Sequence, residues 1–429
     1  MNYEETLEFL YAQLPAYHRI GKAAYRNDLG NSLALDDYFG HPHRNYPTVH
    51  LAGTNGKGSV SHMTASVLQE AGWETGLYTS PHLRDFRERI RINGEMIPKR
   101  KVTEFVRRHH RIIESLRPSF FELTVAMAFD HFAKEKIDVA VIETGLGGRL
   151  DSTNIIKPVV SVITNIGHDH MDLLGPSIEK IASEKAGIIK RGIPAVIGEK
   201  HQETYKIFMT KAREEEAPIC FADKNFACSL GEFDYETGER SYLITEISSG
   251  KEYAGLTTLG GDYQAKNLVT LLQVIETLRK SFGITDEHVT DGIRNVVANT
   301  GLMGRWQVLN RNPLIVCDTG HNREGLEYVT RQIAATPGAG LHIVLGFVDD
   351  KDLSSVLPLF PPEAKYYFTK ASVPRALDEK LLMKEAGKYG LEGMSYPDVK
   401  GAFKAARFAA SPEDLIFVGG STFVVAEVV

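Results

Sequence analysis

The run Gly53-Thr54-Asn55-Gly56-Lys57-Gly58-Ser59 stands between an apolar stretch and an amphipathic one. Glycines there let backbone N–H groups curl around phosphate oxygens, and the start of a helix adds a favourable dipole. Lys57 would reach the outer phosphates of a nucleotide, and a hydroxyl such as Ser59 would serve Mg²⁺. The run departs from G-x-x-x-x-G-K-[ST], because Leu51 holds the first glycine position and Gly58 separates Lys57 from Ser59. A glycine-rich turn with a solvated lysine is the bland alternative. The strand–loop–helix context favours the phosphate loop.

Glu143 closes the apolar run Val139-Ala140-Val141-Ile142, where a parallel sheet places its sites and where a carboxylate could hold a nucleotide's metal. A strand-end charge facing water is the alternative. The glycine-rich Thr144–Asp151 segment follows and suits close approach of a ligand. His168-Asp169-His170-Met171-Asp172 follows another apolar run. Its donor types alone point to zinc or manganese, since Mg²⁺ prefers oxygen. Ser183-Glu184-Lys185-Ala186-Gly187 reads by default as a surface Glu–Lys pair on a helix. Arg305 opens a strand, and Asp318-Thr319-Gly320-His321-Asn322 follows the run Leu314–Cys317. Lys99–Lys101 and Arg107–Arg111 read as a solvated helix face, with an attractor for an anionic substrate tail as the sharper alternative.

These groups need a scaffold that brings strand ends together. Short apolar runs alternate with amphipathic stretches, which reads as α/β with parallel strands. Candidate strands are Thr48–Ala52, Ile137–Glu143, Val159–Thr164 and Ala195–Gly198. Residues 216–260 read as an antiparallel insert or sheet edge, with a strand at Arg240–Thr245. Helices follow over Asp262–Lys280 and Thr285–Val297, then a linker over Ala298–Gly304. Leu314–Cys317, His342–Leu345, Lys365–Phe368 and Leu415–Val418 begin a second strand series. The fold expected is α/β. It has a P-loop ATPase-like N-terminal domain over 1–298 with a mostly parallel sheet, and a smaller Rossmann-like domain over 299–429.

The chain has 429 residues, 43% hydrophobic and 24% charged, which is ordinary globular composition. Forty-nine basic against 55 acidic residues give −6, so there is no global basic field for nucleic acid. No apolar run reaches the roughly 18 residues a spanning helix needs. The N-terminal residues lack a signal-peptide pattern, and the three cysteines form no CxxC. The expectation is a cytoplasmic protein with neither nucleic acid nor membrane as partner.

Taken together, the segments resemble the folylpolyglutamate synthase/dihydrofolate synthase family, within the ATP-dependent ligases that include the muramyl-peptide ligases. The resemblance spans nearly the whole chain, from the Gly53 loop to Gly419-Gly420-Ser421. Gly53–Ser59 is shared across the superfamily. Ser80-Pro81-His82-Leu83, Glu88-Arg89-Ile90, Gly145–Asn154, Ile163–Gly175 and Glu184–Ile188 are more particular to the folate branch. By that resemblance, Gly53, Thr54, Asn55, Gly56, Lys57, Gly58 and Ser59 bind ATP, with Asn267, Arg305 and Asp318 contacting the nucleotide. Ser59, Ser80, Glu143, His170 and Lys185 are implied around two Mg²⁺ ions, with Lys185 carbamylated. Phe121, Glu122, Thr124, Leu150, Asp151 and Ser152 match pteroate-binding stretches, and His321 falls in an interdomain substrate motif. Lys57, Lys185, His170 and His321 are the implied catalytic residues.

The chain departs from the family's pattern at Tyr263, usually His, and at Met303, usually Pro. Asp318-Thr319-Gly320-His321 replaces Asp-Gly-Ala-His, and Gly21–Leu29 does not reproduce the Gly-Leu-x-Arg run. The implied reaction turns a carboxylate into an acyl phosphate with ATP, and a glutamate amine then displaces phosphate. Glutamate is expected between the two domains. The implied substrates are L-glutamate with dihydropteroate, giving dihydrofolate, and with tetrahydrofolate and its polyglutamates. The expected state is a monomer, with a monovalent cation such as K⁺ left open. A monofunctional folylpolyglutamate synthase is the first alternative, another Mur-type ligase the second, and a slow ATP-hydrolysing switch the third.

Overall fold

A computed structural model describes residues 1–13, 28–168 and 171–429. The Gly21–Asn27 part of the altered N-terminal stretch, Asp169 and His170 lie outside the described residues. The chain divides into two compact units. One comprises Met1–Ser229, Tyr242–Leu256 and Ala265–Gly301; the other comprises Leu230–Ser241, Thr257–Gln264 and Leu302–Val429.

The first unit is built on strands β1 (Thr48–Ala52), β2 (Thr75–Tyr78), β3 (Ile90–Ile92), β4 (Glu95–Met96), β5 (Val139–Glu143), β6 (Val160–Ile163), β7 (Ala195–Ile197) and β8 (Ile219–Phe221). They lie in the order β4-β3-β2-β5-β1-β6-β7-β8. The pairs from β2 through β8 are parallel, while β3 and β4 pair antiparallel at one edge. Every residue of β1 and β5 is buried, as strands covered on both faces require. Leu51 is in register with Glu143 and Ala52 with Ile163, so the chain leaves β1, β5 and β6 at one edge of the sheet. That edge is where open parallel sheets bind ligands.

The Lys57–Glu70 helix follows β1 and is buried from Ser59 through Leu68. One face, with Val60, Met63, Val67 and Leu68 all at 0% exposure, contributes about 1.5–3 kcal/mol per large side chain. Around Val67 the helix meets the Asp286–Arg294 helix. A Cβ at Gly292 would lie 2.6 Å from the Val67 Cα, so only glycine permits that approach. Ser66 Oγ donates to the Gly292 carbonyl at 2.7 Å, and His62 Nδ1 lies 2.8 Å from Thr300 Oγ1. Ser66 and His62 of this buried helix thus serve helix–helix contact.

Strands β9 (Phe226–Asp234), β10 (Glu239–Glu246) and β11 (Glu252–Thr257) form a separate three-stranded sheet, where the sequence led us to expect an insert. The expected linker is partly helical, since a short Val296–Thr300 helix ends at Gly301 with φ 66°. The second unit carries β12 (Gln307–Arg311), β13 (Leu314–Cys317), β14 (Leu341–Leu345), β15 (Lys365–Thr369), β16 (Gly393–Tyr396) and β17 (Leu415–Gly419). Their order is β12-β13-β17-β14-β15-β16, parallel except for β12. A large mostly parallel sheet and a smaller mixed one give the α/β class read from the sequence. Among the described residues, no helix is long and apolar enough to cross a membrane.

Candidate active site

The Gly53–Ser59 loop leaves β1 as expected and becomes helical at Lys57. Its shape is held from β6. Thr54 N donates to the Asn165 carbonyl at 3.0 Å, and Asn55 N to Asn165 Oδ1 at 2.8 Å. Thr164 Oγ1 donates to the Asn55 carbonyl at 2.6 Å. Thr54 Oγ1 exchanges bonds with the Gly167 backbone, at 3.2 Å as donor and 3.0 Å as acceptor. Thr164 and Asn165 were not singled out from the sequence, although a polar pair closing an apolar strand was the available signal. Gly56 caps the helix at φ 85°, and a Cβ there would collide with Asn267 Oδ1. Asn267 is buried on the Gln264–Phe282 helix, so the structure brings it to the loop.

Two lysines converge on one carbonyl. Lys57 Nζ donates to the Gly53 carbonyl at 3.0 Å and to that of Thr54 at 3.3 Å. Lys185 Nζ donates to the same Gly53 carbonyl at 2.7 Å. Lys185 is only 4% exposed, which overturns the surface Glu–Lys pair. Glu184 instead pairs with Arg149 at 2.8 Å. The reason is helical periodicity. Lys185 lies four residues after Ile181 and three after Ala182, both fully buried, and so falls on the inward face of the Ile178–Ala186 helix.

Glu143 is 4% exposed at the end of β5, and one oxygen accepts from Ser80 N at 3.0 Å. Ser59 is also buried, and Thr144 Oγ1 is buried without a hydrogen-bond partner among the described residues. Oxygen donors of this kind fit Mg²⁺, and the loop's glycines and helix start fit phosphate. His168 is exposed; Asp169 and His170, from the expected metal cluster, are not described. The folate-branch segment after β2 buries Arg89, whose Nε donates to His82 Nδ1 at 2.7 Å. Burial lowers the pKa of that guanidinium, against the opposing fields of Tyr78, Tyr11 and Glu143.

The Gly145–Asp151 loop lies flat on the helix that carries Lys185. A Cβ at Gly148 would sit 2.8–3.0 Å from the Glu184 and Lys185 backbones. Asp151, 4% exposed, accepts from Gly145 N and Leu146 N at 2.9 Å each, from Thr153 N at 3.0 Å and from Thr153 Oγ1 at 2.5 Å. Burial raises its pKa while those bonds pull it down. Its oxygens thus organise the loop. The Phe121 ring packs where a Gly145 Cβ would be, and Leu150 is half-buried. Glu122 accepts from Ser119 N at 2.5 Å and Asn31 Nδ2 at 3.2 Å, and shares a small cavity with Ser152. Thr124 Oγ1 is turned back onto the Phe120 carbonyl at 2.7 Å.

The second unit holds its own cluster. Arg305 does not open a strand: it sits in a turn with Trp306 at φ 45°, and β12 starts at Gln307. Its guanidinium bonds Thr319 Oγ1 and, at 3.2 Å, the Gly304 carbonyl. Asp318 is buried and accepts from Tyr263 Oη at 2.6 Å, Trp306 N at 2.7 Å and Gly320 N at 2.7 Å. Burial raises its pKa against the pull of those donors. His321 Nδ1 lies 3.0 Å from the Thr319 carbonyl.

The chain matches the Mur ligase middle domain over residues 51–275 and the Mur ligase glutamate ligase domain over 304–422. It is 32% identical over 418 residues to a dihydrofolate synthase/folylpolyglutamate synthase of Bacillus subtilis, spanning 95% of each chain. Its structure resembles that of Mycobacterium tuberculosis folylpolyglutamate synthase complexed with ADP, with TM-score 0.87 and 29% identity, covering 99% of this chain and 96% of that one. It also resembles Escherichia coli FolC in complex with DHPP and ADP, with TM-score 0.83 and 28% identity, covering 100% and 97%. Loop, buried lysine and strand-end carboxylate therefore sit in a chain that belongs to the folylpolyglutamate synthase/dihydrofolate synthase family of Mur-type ligases.

Proposed function

We propose that this chain is an ATP-dependent ligase that joins L-glutamate to dihydropteroate, giving dihydrofolate, and to tetrahydrofolate, giving folylpolyglutamates. The observation that carries the reading is the convergence of Lys57 and the buried Lys185 on the Gly53 carbonyl. A phosphoryl-transfer site gathers charge at the phosphates, here Lys57 as the cation and Lys185, once carbamylated, as a ligand for a metal ion.

A carboxylate is a poor electrophile because its oxygen does not leave. Attack of a substrate carboxylate oxygen on the γ-phosphorus of ATP gives an acyl phosphate and ADP. The glutamate amine then adds to the acyl carbon, phosphate departs, and the nitrogen loses its proton as the amide forms. In this reading the Gly53–Ser59 backbone cradles the phosphates, and Lys57 moves from the Gly53 carbonyl to the transferring group. Glu143, Ser59 and Ser80 would hold Mg²⁺, with His170 and a carbamylated Lys185 completing two ion sites. Bound Mg²⁺ would neutralise phosphate charge. Asn267, Arg305 and Asp318 contact the nucleotide. Phe121, Glu122, Thr124, Leu150 and Ser152 face the pteroate, with Asp151 shaping the loop beside them, and His321 serves the substrate end. Residues 1–298 and 299–429 act as the ATP-binding and glutamate-ligase domains, the enzyme is a cytoplasmic monomer, and K⁺ is an optional activator.

A monofunctional folylpolyglutamate synthase is the second reading, favoured by the altered Gly21–Leu29 stretch. Incubation with ATP, Mg²⁺ and glutamate, followed by mass analysis of product, separates the two. A gain of one glutamate on both dihydropteroate and tetrahydrofolate supports the first, and a gain on tetrahydrofolate alone supports the second. No adduct on either contradicts both.

A further inference from the structure

Away from the phosphate loop, the Gly30–Tyr38 helix ends in a turn that folds two histidines back onto Asp36 in its own last turn. Gly40 (φ 72°) and His41 (φ 58°) both adopt left-handed conformations, and Pro42 starts the short Pro42–Asn45 helix. His41 N donates to the Asp36 carbonyl at 2.9 Å. The side chains then converge: His41 Nδ1 lies 2.6 Å and His43 Nε2 3.3 Å from Asp36 Oδ2. One donor atom from each of the three residues lies within 4.8 Å of the others.

Hydrogen bonding alone leaves this cluster incomplete. Asp36 is 7% exposed, and its Oδ1 is buried with no hydrogen-bond partner among the described residues. Ser32 Oγ, one helical turn earlier, is in the same condition. Both residues line a cavity of about 10 Å³, the room of one water, which borders the cluster on the Asp36 side and is lined by neither histidine.

Two imidazoles and one carboxylate suit a zinc-class ion rather than Mg²⁺ or Ca²⁺. With bonds of about 2.0–2.1 Å, tetrahedral donors stand about 3.3 Å apart. The His43–Asp36 separation already has that value, and the His41–Asp36 pair needs to open by only a fraction of an ångström. Each ring must carry its proton on the nitrogen facing away from the ion. We propose that Asp36, His41 and His43 form a zinc-class structural site, with water in the fourth position, that ties the turn to the Gly30–Tyr38 helix. Asn31 on that helix bonds Glu122, so the ion also steadies one wall of the Glu122–Ser152 cavity. The site is independent of the ligase reading.

The test uses the full chain stripped with chelator and titrated with Co²⁺ alone, then Zn²⁺ alone. One equivalent of cobalt should give the visible absorption of a four-coordinate nitrogen–oxygen site, zinc should displace it, and zinc should raise the thermal midpoint. H41Q and H43Q should each lose the band and the thermal shift. The His41 ring is 35% exposed, so H41Q remains a folded probe if H43Q does not. Absence of a stoichiometric band in the parent chain, or a band and shift that survive H41Q, overturns the proposal.

Discussion

The Gly53–Ser59 loop and the Asp318–Asn322 turn have the same grammar and opposite contents. Each leaves a buried strand of a parallel sheet and leads into a helix. In the first, Lys57 rests on backbone carbonyls that a phosphate can replace as partner, and Lys185 lies buried on the same Gly53 carbonyl. In the second, a buried carboxylate already holds three donors from its own unit. The difference separates a turn that meets charge in flight from a turn that fixes its own shape. The first should therefore fail in chemistry when altered, and the second in affinity and stability.

The largest effect should come from Lys57→Ala. It removes charge at the transferring group and should lower kcat by about 10²–10³-fold, with the thermal midpoint nearly unchanged. Near-normal turnover would erase the contrast. Lys185→Ala should slow turnover by about 10²-fold and regain part of it with short carboxylates standing in for the carbamate. A loss that no carboxylate rescues would leave Lys185 only its buried bond to Gly53.

The strands beneath the two turns can also be set apart by acid. His50, fully buried in β1 with Nε2 2.9 Å from Thr153 Oγ1, has its pKa pushed down to about 3 by burial. Between about pH 6.5 and 3 the unfolded chain takes up a proton that folded His50 refuses. Stability therefore falls with falling pH there, by up to about 1.4 kcal/mol per pH unit from this residue. His50→Gln should flatten that slope in denaturant titrations across the range. An unchanged slope would place the acid sensitivity elsewhere. The smallest effect should be Tyr263→Phe, which strips one donor from Asp318 and should cost about 1–2 kcal/mol of stability while leaving kcat within a few-fold. A kcat loss comparable to that of Lys57→Ala would show that the second turn also meets the reaction.

Much of the scaffold was legible because β13 is an unbroken apolar run ending at a charge and β1 a short run, interrupted by His50, ending at a glycine, and their limits match the sequence reading. Arg305 was misplaced because nothing in the sequence announced the positive φ at Trp306 that delays β12. Lys185 was legible in principle. Its place on the stripe with Ile178, Ile181 and Ala182 was visible, but a lysine beside a glutamate looks like surface until the stripe is weighed. The contacts of Thr164, Asn165 and Asn267 with the loop were not legible, since they join segments about 110 and more than 200 residues apart. The Asp36–His41–His43 cluster escaped notice because its spacing matches no standard ligand motif, and only two successive left-handed residues close it.

The central claim is that the phosphate loop turns one carboxylate oxygen into part of a leaving phosphate. The most direct measurement uses dihydropteroate labelled with ¹⁸O in its carboxylate, with ATP and glutamate, and reads the label in released phosphate. Acyl phosphate formation predicts one ¹⁸O carried into inorganic phosphate per amide formed. Amide formation with unlabelled phosphate would contradict it.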